Sequence, residues 1–209
     1  MPIRVRTVRD PEEFLDATGA ISHYWGVERD EDRAEGFARI LSHERMHAAF
    51  EGTAIVGGAG AHAFELTVPG GPVPCAGITV VGVLPTHRRR GILRAMMRAQ
   101  LADVRERGEP LAALWASEET IYGRYGYGIG SLDAMMRVKR AHARLRPELP
   151  SAGRVRLVDA EEGLSVIPRI YERVRRRSPG FTSRTRAWWE EKSLNDHPQR
   201  RRGGGVLSR

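Results

Sequence analysis

The chain has 209 residues, a formal net charge of +8, 41% hydrophobic and 29% charged residues, which fits a globular protein of about one domain. A single cysteine, Cys75, excludes an intrachain disulfide and favours a reducing compartment. No apolar run is long enough to cross a membrane and the N-terminal residues lack a signal-peptide core, so we expect a cytoplasmic protein.

Strand and helix patterns alternate along the chain. Strands are predicted at residues 3–8, 47–66 (two strands around a turn at Glu51 and Gly52), 77–84, 110–117, 131–140 and 154–159. Helices are predicted at residues 12–18, within 30–41, at 91–107, at 118–126 with a break at Gly123 or Gly126, at 164–177 and at 184–196. Residues 67–75 hold too much proline and glycine for a helix and predict a loop or strand edge.

Local signals support two of these helices. Asp10 is an N-cap and Pro11 an N1 residue for the first helix. Gly108 follows the helix of residues 91–107 in the position of a C′ glycine.

A change in composition at residues 147–153 to proline, serine and glycine predicts a linker. We therefore divide the chain into residues 1–150 and 151–209. The second part has roughly 55 residues, too few to bury a sizeable core. We expect it to be the beginning of a second, incomplete domain.

Two short motifs are weak candidates for function. His43 and His47 form H-E-x-x-H, the pattern of a zinc helix, but a strand is predicted to begin between them and no third ligand follows at a usual spacing. Residues 58–63, G-A-G-A-H-A, match a dinucleotide fingerprint, yet no helix follows them. Close packing of a strand explains these glycines better. We expect neither a metal ion nor a dinucleotide.

The excess of arginine also permits the interpretation that the protein binds nucleic acid. Lys139 and Lys192 are the only lysines, so nearly all positive charge is arginine, clustered in residues 139–148, 173–177 and 199–202. Such runs bind phosphate backbones in some proteins, but few aromatic residues are interleaved with them here. Solvated helix faces explain the runs equally well, and nucleic-acid binding is the weakest of the alternatives.

The segment P-T-H-R-R-R-G, residues 85–91, joins a buried strand to an amphipathic helix. The first turn of a helix offers free backbone N–H groups and the positive end of the helix dipole, which together bind a pyrophosphate. Gly91 lets the backbone approach the anion, and the arginines add charge. The pattern predicts a ligand with a diphosphate and an extended arm along the strand.

These residues resemble the pattern [QR]-x-x-G-x-[GA], which GCN5-related N-acetyltransferases (GNATs) carry between a central strand and a helix. Arg88 and Gly91 match it and Leu93 departs from it. The longer string over residues 83–128, with P-T-H-R-R-R-G-I-L-R-A-M and A-S-E-E-T-I-Y-G-R-Y-G-Y-G, is similar to the Eis branch of that family. The resemblance implies an α/β GNAT fold: a mixed, mostly antiparallel sheet flanked by helices on both faces, splayed at residues 81–84, and followed by the start of a second, incomplete GNAT-like domain.

The resemblance also implies an acetyl-CoA site. Backbone groups of β-strand residues would bind the pantetheine amides, the arginine loop and helix start would bind the pyrophosphate, and the A-S-E segment would line the cofactor. The implied residues are Val81, Gly82, Val83, Arg88, Arg89, Arg90, Gly91, Ile92, Leu93, Arg94, Ser117 and Glu118. Tyr122 would be the general acid that protonates the leaving thiolate. Without the resemblance, Tyr122 is not distinguishable from Tyr125 and Tyr127.

The implied reaction is acetyl transfer to a primary amine, such as a lysine side chain, a polyamine or an aminoglycoside-like compound, by direct attack in a ternary complex. The acidic residues 30–32 would attract the amine or simply begin a helix. The family's base is a C-terminal carboxylate in chains about twice as long, assembled as hexamers, so we expect the base to be missing here. The alternative is a truncated CoA-binding remnant without activity.

Overall fold

The computed structural model describes residues 1–24, 31–144 and 154–195. Its strands are β1 (Ile3–Thr7), β2 (Met46–Glu51), β3 (Ala54–Val68), β4 (Gly71–Val83) and β5 (Leu111–Leu114). They form one open sheet in the order β1-β2-β3-β4-β5, in which β1 to β4 are antiparallel neighbours and β5 is parallel to β4. The predicted mixed, mostly antiparallel sheet is confirmed.

The helices are α1 (Pro11–Tyr24), α2 (Glu31–Ala38), α3 (Ile92–Glu106), α4 (Glu119–Tyr122), α5 (Ala160–Arg175) and α6 (Arg186–Trp188), which continues as a π-helical turn over Trp189–Ser193. Asp10 caps α1 as predicted, because its Oδ1 accepts the N–H of Glu13 at 2.9 Å. Gly108 follows α3 with φ +70°, the left-handed conformation of a C′ glycine. None of the helices in the described ranges is long and apolar enough to cross a membrane.

Helices cover both faces of the sheet. Side chains alternate along β2, so Ala48 and Phe50 pack on one face with Phe14 of α1. Ala49 points to the opposite face, where it packs with Met96 of α3. Most of the buried side chains lie in these two layers, one under α1 and one under α3.

The glycines of β3 allow α1 and the segment after α2 to lie close to the sheet. A Cβ on Gly58 would lie 2.3 Å from the carbonyl oxygen of Ala17, and one on Gly60 would lie 2.7 Å from Leu41. The interpretation of residues 58–63 as a closely packed strand rather than a dinucleotide fingerprint is therefore confirmed.

β4 contains a β-bulge, beyond which it no longer pairs with β5. Val80 has φ +47°, a strained conformation for a β-branched residue, and the pairing of β3 with β4 shifts by one residue there. β5 pairs with β4 only up to Ile78. Beyond the bulge, none of the described strands pairs with the edge of β4 that faces away from β3, in agreement with the predicted splaying of the sheet.

The segment after α5 packs against the far end of β3. Thr67 donates its N–H to Phe181 O at 2.9 Å and accepts the N–H of Gly180 at 2.8 Å. The ring of Trp188 packs on His62 and Phe64, with centroids 5.0 and 5.2 Å away. Residues 160–195 therefore contact the first part of the chain directly.

Two predicted strands need correction. Residues 131–140 and 154–159 form no strand: Leu132 and Met136 are 87% and 86% exposed, and Val155 is 99% exposed. Alternation favours a strand only beside another strand, and the described part of the chain places none next to either segment. Residues 67–75, predicted as a loop or strand edge, are the ends of β3 and β4 on either side of a tight turn at residues 69–70. Asp30 and the linker at residues 147–153 lie outside the described residues.

Candidate active site

A cleft of about 630 Å³ opens at the bulge, where β4 leaves β5. Its walls are the end of β4, the loop and first turn that begin α3, and the segment around α4. Every predicted site residue except Arg90 lines it: Val81, Gly82, Val83, Arg88, Arg89, Gly91, Ile92, Leu93, Arg94, Ser117, Glu118 and Tyr122. Segments that are far apart in the sequence thus meet around one space.

The wall formed by β4 exposes backbone hydrogen-bonding groups. Leu84 donates its N–H to Val56 O at 2.9 Å, and hydrogen-bonded residues alternate along an antiparallel strand. The N–H and C=O of Val83 therefore point away from β3, towards the cleft. Arg88 Nε lies 3.4 Å from Val83 O, consistent with this direction. An extended ligand with amide groups could pair with this edge as a strand does.

The arginine loop leads into the N-terminus of α3. Pro85–His87 form a 3-10 turn, Arg89 has φ +63° and Gly91 has φ +78°. A left-handed conformation costs a non-glycine residue such as Arg89 about 1 to 2 kcal/mol, so the loop is strained there. No side chain caps α3 at Gly91. The N–H groups of the first turn are thus left for an anion.

Charge in the cleft is strongly positive. Four arginines line it, Arg88, Arg89, Arg94 and Arg124, and among the described lining residues the only carboxylate is that of Glu118. Such a surface suits a ligand with several negative charges.

Arg90 turns away from the cleft. Its guanidinium pairs with the carboxylate of Glu51, at the end of β2, and His87 Nε2 lies 3.0 Å from the other oxygen of that carboxylate. Hydrogen bonds from Arg90 and then His87 lower the pKa of Glu51 to about 2. Glu51 is therefore ionised at neutral pH and fixed to the loop.

Tyr122 lies half-buried at the end of α4, on the opposite wall. Burial raises the pKa of its phenol above the ordinary value of 10.0, and the nearby carboxylate of Glu118 adds to the shift. Its ring packs edge-to-face on Tyr127, with centroids 5.9 Å apart. The phenol therefore keeps its proton at neutral pH and can give it to a basic group in the cleft.

Tyr125 and Tyr127 occupy different surroundings. Tyr125 also lines the cleft. Tyr127 packs into the core beside Ile78 and Val104, and burial raises its pKa to about 12. Tyr127 is thus the packing tyrosine that the sequence left as an alternative.

Sequence reasoning missed some lining residues: Ile21, His87, Thr120, Ile121, Arg124 and Tyr125. Arg124 and Tyr125 follow Tyr122 within one helical turn, and that proximity was a usable signal. Ile21 comes from α1, which crosses β4 so closely that a Cβ on Gly82 would lie 3.0 Å from its Cα. No local pattern indicates that contact.

The described residues of the weaker motifs lie outside the cleft lining. His43 lies in a 3-10 turn and His47 in β2, where burial lowers its pKa, so the two do not share a helix face. Within residues 1–24, 31–144 and 154–195, no group of three potential metal ligands was found. In the run of residues 173–177, Arg175 is buried and paired with Glu172 and Glu65 rather than available to a polyanion.

Comparison with known proteins identifies the class. The family described as an acetyltransferase (GNAT) domain matches residues 4–130. The chain therefore belongs to the GNAT acetyltransferase family.

Individual relatives confirm the resemblance to the Eis branch. The chain is 40% identical over 209 residues to an uncharacterized N-acetyltransferase of Streptomyces avermitilis, covering 99% of this chain and 51% of that protein. It is 43% identical over 145 residues to N-acetyltransferase Eis of Mycobacterium tuberculosis, covering 67% of this chain and 36% of that protein. The crystal structure of Eis1 from Mycobacterium abscessus superposes with a TM-score of 0.75 at 36% identity, covering 93% of this chain and 48% of that one. The chain spans about half the length of these full-length relatives, or less.

Proposed function

We propose that the protein transfers the acetyl group of acetyl-CoA to a primary amine, with Tyr122 as the general acid. The observation that best supports this proposal is the cleft. It has an arginine-rich helix N-terminus on one wall, a protonated phenol on another and an unpaired strand edge between them. Acetyl-CoA is the co-substrate expected of a GNAT domain.

The residues present fit that co-substrate. Arg88, Arg89 and the first turn of α3 would hold the diphosphate, by charge and by backbone N–H groups. The outward N–H and C=O of Val83 would pair with the pantetheine amides. Ser117 and Glu118 would line the opposite side.

Acetyl-CoA supplies an acetyl thioester, which the amine attacks directly in a ternary complex. The new bond is C–N, the broken bond is C–S, and the sulfur leaves as a thiolate. The Tyr122 hydroxyl would donate its proton to that sulfur. Its raised pKa suits this role, since the phenol is fully protonated before each turnover. After the attack, the nitrogen of the amine loses its extra proton to solvent.

The test is turnover of acetyl-CoA with a panel of amines, including a lysine peptide, a polyamine, an aminoglycoside and an amine whose pKa lies below the assay pH. The last amine is already a free base, so its reaction needs no general base from the protein. With Tyr122→Phe we expect turnover to fall about 10²-fold or more at unchanged CoA affinity, the usual scale of general acid catalysis. The matched control is Tyr127→Phe, which removes a core hydroxyl and leaves turnover unchanged.

Three other outcomes would contradict parts of this proposal. CoA binding in a calorimeter with no turnover of any amine, including the free-base amine, would support the CoA-binding remnant instead. Equal turnover of wild type and Tyr122→Phe would reject Tyr122 as the acid. A steeply salt-dependent affinity for duplex DNA that CoA does not change would favour the nucleic-acid alternative.

The same proposal covers the wider organisation. Residues 1–150 would be the catalytic GNAT domain and residues 151–209 the start of a second GNAT-like unit, tied to β3 by the contacts at Thr67. We further propose that the protein is cytoplasmic, which its single cysteine favours, and, from the Eis resemblance, that it assembles as a hexamer. Sedimentation of the purified chain would test the assembly, and fractionation of cells would test the location.

A further inference from the structure

Glu51 connects the arginine loop to the turn between β2 and β3, which lies at the same end of the sheet. It is the last residue of β2, paired with Ile3 of β1, and stands at the turn into β3. Its carboxylate reaches across to the loop of residues 85–91, about 35 to 40 positions later in the chain. Neither the strand pattern nor the resemblance assigned it a role.

The contacts of Glu51 form a short chain of hydrogen bonds into the loop. One carboxylate oxygen pairs with Arg90 and the other accepts a hydrogen bond from His87 Nε2 at 3.0 Å. His87 Nδ1 lies 2.7 Å from Thr86 Oγ1, so the imidazole links the carboxylate to the residue at the start of the loop. Side-chain exposures of 24% for Glu51 and 19% for His87 place the central bond partly out of solvent. That shielding strengthens it relative to a surface pair.

These hydrogen bonds hold residues before and after Arg89, the residue with the strained backbone. Arg89, with φ +63°, lies between His87 and Arg90. A left-handed non-glycine residue persists only where its surroundings over-determine the backbone. Anchoring its neighbours to one carboxylate supplies that constraint. It also directs Arg90 away from the cleft while Arg88 and Arg89 line it.

We propose that Glu51 is the positioning residue of the diphosphate cradle: through His87 and Arg90 it holds the loop of residues 85–91 in the conformation that receives the CoA diphosphate. This inference rests on the proposed acetyl-CoA site but concerns a residue that contacts no substrate. The alternative is that Glu51 weakens CoA binding, because its carboxylate is a negative charge near an anionic ligand. In that case Glu51 only keeps Arg90 from the diphosphate, and removing Glu51 would strengthen CoA binding.

The experiment compares Glu51→Ala with Glu51→Gln, which keeps an oxygen acceptor for His87. The charge-matched control is Glu106→Ala, at the far end of the 15-residue helix α3, about 20 Å from the loop. Calorimetry measures the affinity of each for CoA and for pantetheine, which lacks the diphosphate. We expect Glu51→Ala to lower the affinity for CoA about tenfold and to leave the affinity for pantetheine within twofold of the wild-type value. Glu51→Gln should recover part of the loss, and Glu106→Ala should bind like the wild type.

A second readout needs no ligand. Amide hydrogen exchange in the free protein should be faster in Glu51→Ala over residues 84–92, where His87 N–H is bonded to Leu84 O at 2.9 Å, and unchanged in α1. A double variant with Arg90→Gln should lose no more CoA affinity than Glu51→Ala alone, because the two side chains act as one unit.

The possible failures separate the two proposals. If the wild type binds neither CoA nor pantetheine but the loop exchanges faster in Glu51→Ala, the proposed function fails and the positioning role stands. Tighter CoA binding by Glu51→Ala, equal weakening of CoA and pantetheine, or unchanged exchange would each overturn the positioning role.

Discussion

The two ends of the cleft are held by different forces. The arginine end, residues 85–91, is held by ion pairs and backbone geometry: Glu51 binds its side chains, and Gly91 adopts the left-handed conformation at the start of α3. The tyrosine end, residues 117–127, is held by aromatic packing, with Tyr122 against Tyr127 and Tyr127 in the core. Exposed cations dominate one end and half-buried phenols the other.

This difference corresponds to what each end would do. Cations that bind a diphosphate must keep their charge and be reachable, which an exposed loop allows. A proton donor must keep its proton, and burial achieves this because a low dielectric disfavours the phenolate. If the two ends work independently, pH and backbone substitutions should affect them separately.

The largest difference between the two ends of the cleft should appear at alkaline pH, in turnover rather than in CoA affinity. Activity that needs the protonated Tyr122 is present below its pKa and lost as pH rises through it, and that pKa lies above 10.0. With an amine of low pKa, we expect the wild type to retain more than half of its turnover at pH 10, whereas an unshifted phenol would be half ionised. Turnover should then fall about tenfold per pH unit beyond the raised pKa.

Two controls accompany the pH profile. Tyr122→Phe should show a low rate without that alkaline decline, and CoA affinity should not follow it in either protein. Circular dichroism at each pH separates loss of activity from alkaline unfolding. A decline centred at or below pH 10 in the wild type would contradict the raised pKa.

A pair of glycines gives the next contrast. A Cβ on Gly91 or on Gly123 would meet no atom within 4 Å, so neither alanine clashes. Gly91 has φ +78°, and alanine there is strained by about 1 to 2 kcal/mol. Gly123 has φ −55°, which alanine adopts freely, and the substitution should stabilise the fold by about 0.4 to 1 kcal/mol.

Urea unfolding and CoA calorimetry on both variants measure this contrast. Gly91→Ala should lower the free energy of unfolding and weaken CoA up to about tenfold, whereas Gly123→Ala should bind CoA as the wild type does. Equal effects of the two substitutions would show that the conformation at Gly91 does not set the cradle.

The sequence predicted cleft-lining residues where they lie in short continuous segments. Arg88 and Gly91 were found from a strand, a turn and an amphipathic helix in direct succession, and Tyr122 from the resemblance of the next segment. Ile21 and Glu51 were missed, because their positions depend on how α1 crosses β4 and on where the β2–β3 turn lies. Neither position leaves a mark in the local pattern.

The strands wrongly predicted at residues 131–140 and 154–159 teach a complementary point. Apolar residues recur at alternate positions there as they do in β1, yet β1 has β2 to pair with, at Ile3 with Glu51 through Thr7 with His47. A strand is defined by its neighbour as much as by its own residues. A pattern within one segment cannot state whether that neighbour is present.

The smallest expected effect concerns Tyr127 at the junction of core and cleft. Its hydroxyl is buried and finds no hydrogen-bond partner among the described residues. An unsatisfied buried hydroxyl is a net cost, so Tyr127→Phe should raise the free energy of unfolding by up to about 1 kcal/mol, or Tm by about 2 to 4 °C for a chain of this size. The ring and its contact with Tyr122 remain, so turnover should not change. A lower Tm would show that the hydroxyl is bonded after all, and a lower turnover at unchanged Tm would show that it supports Tyr122 chemically rather than by packing.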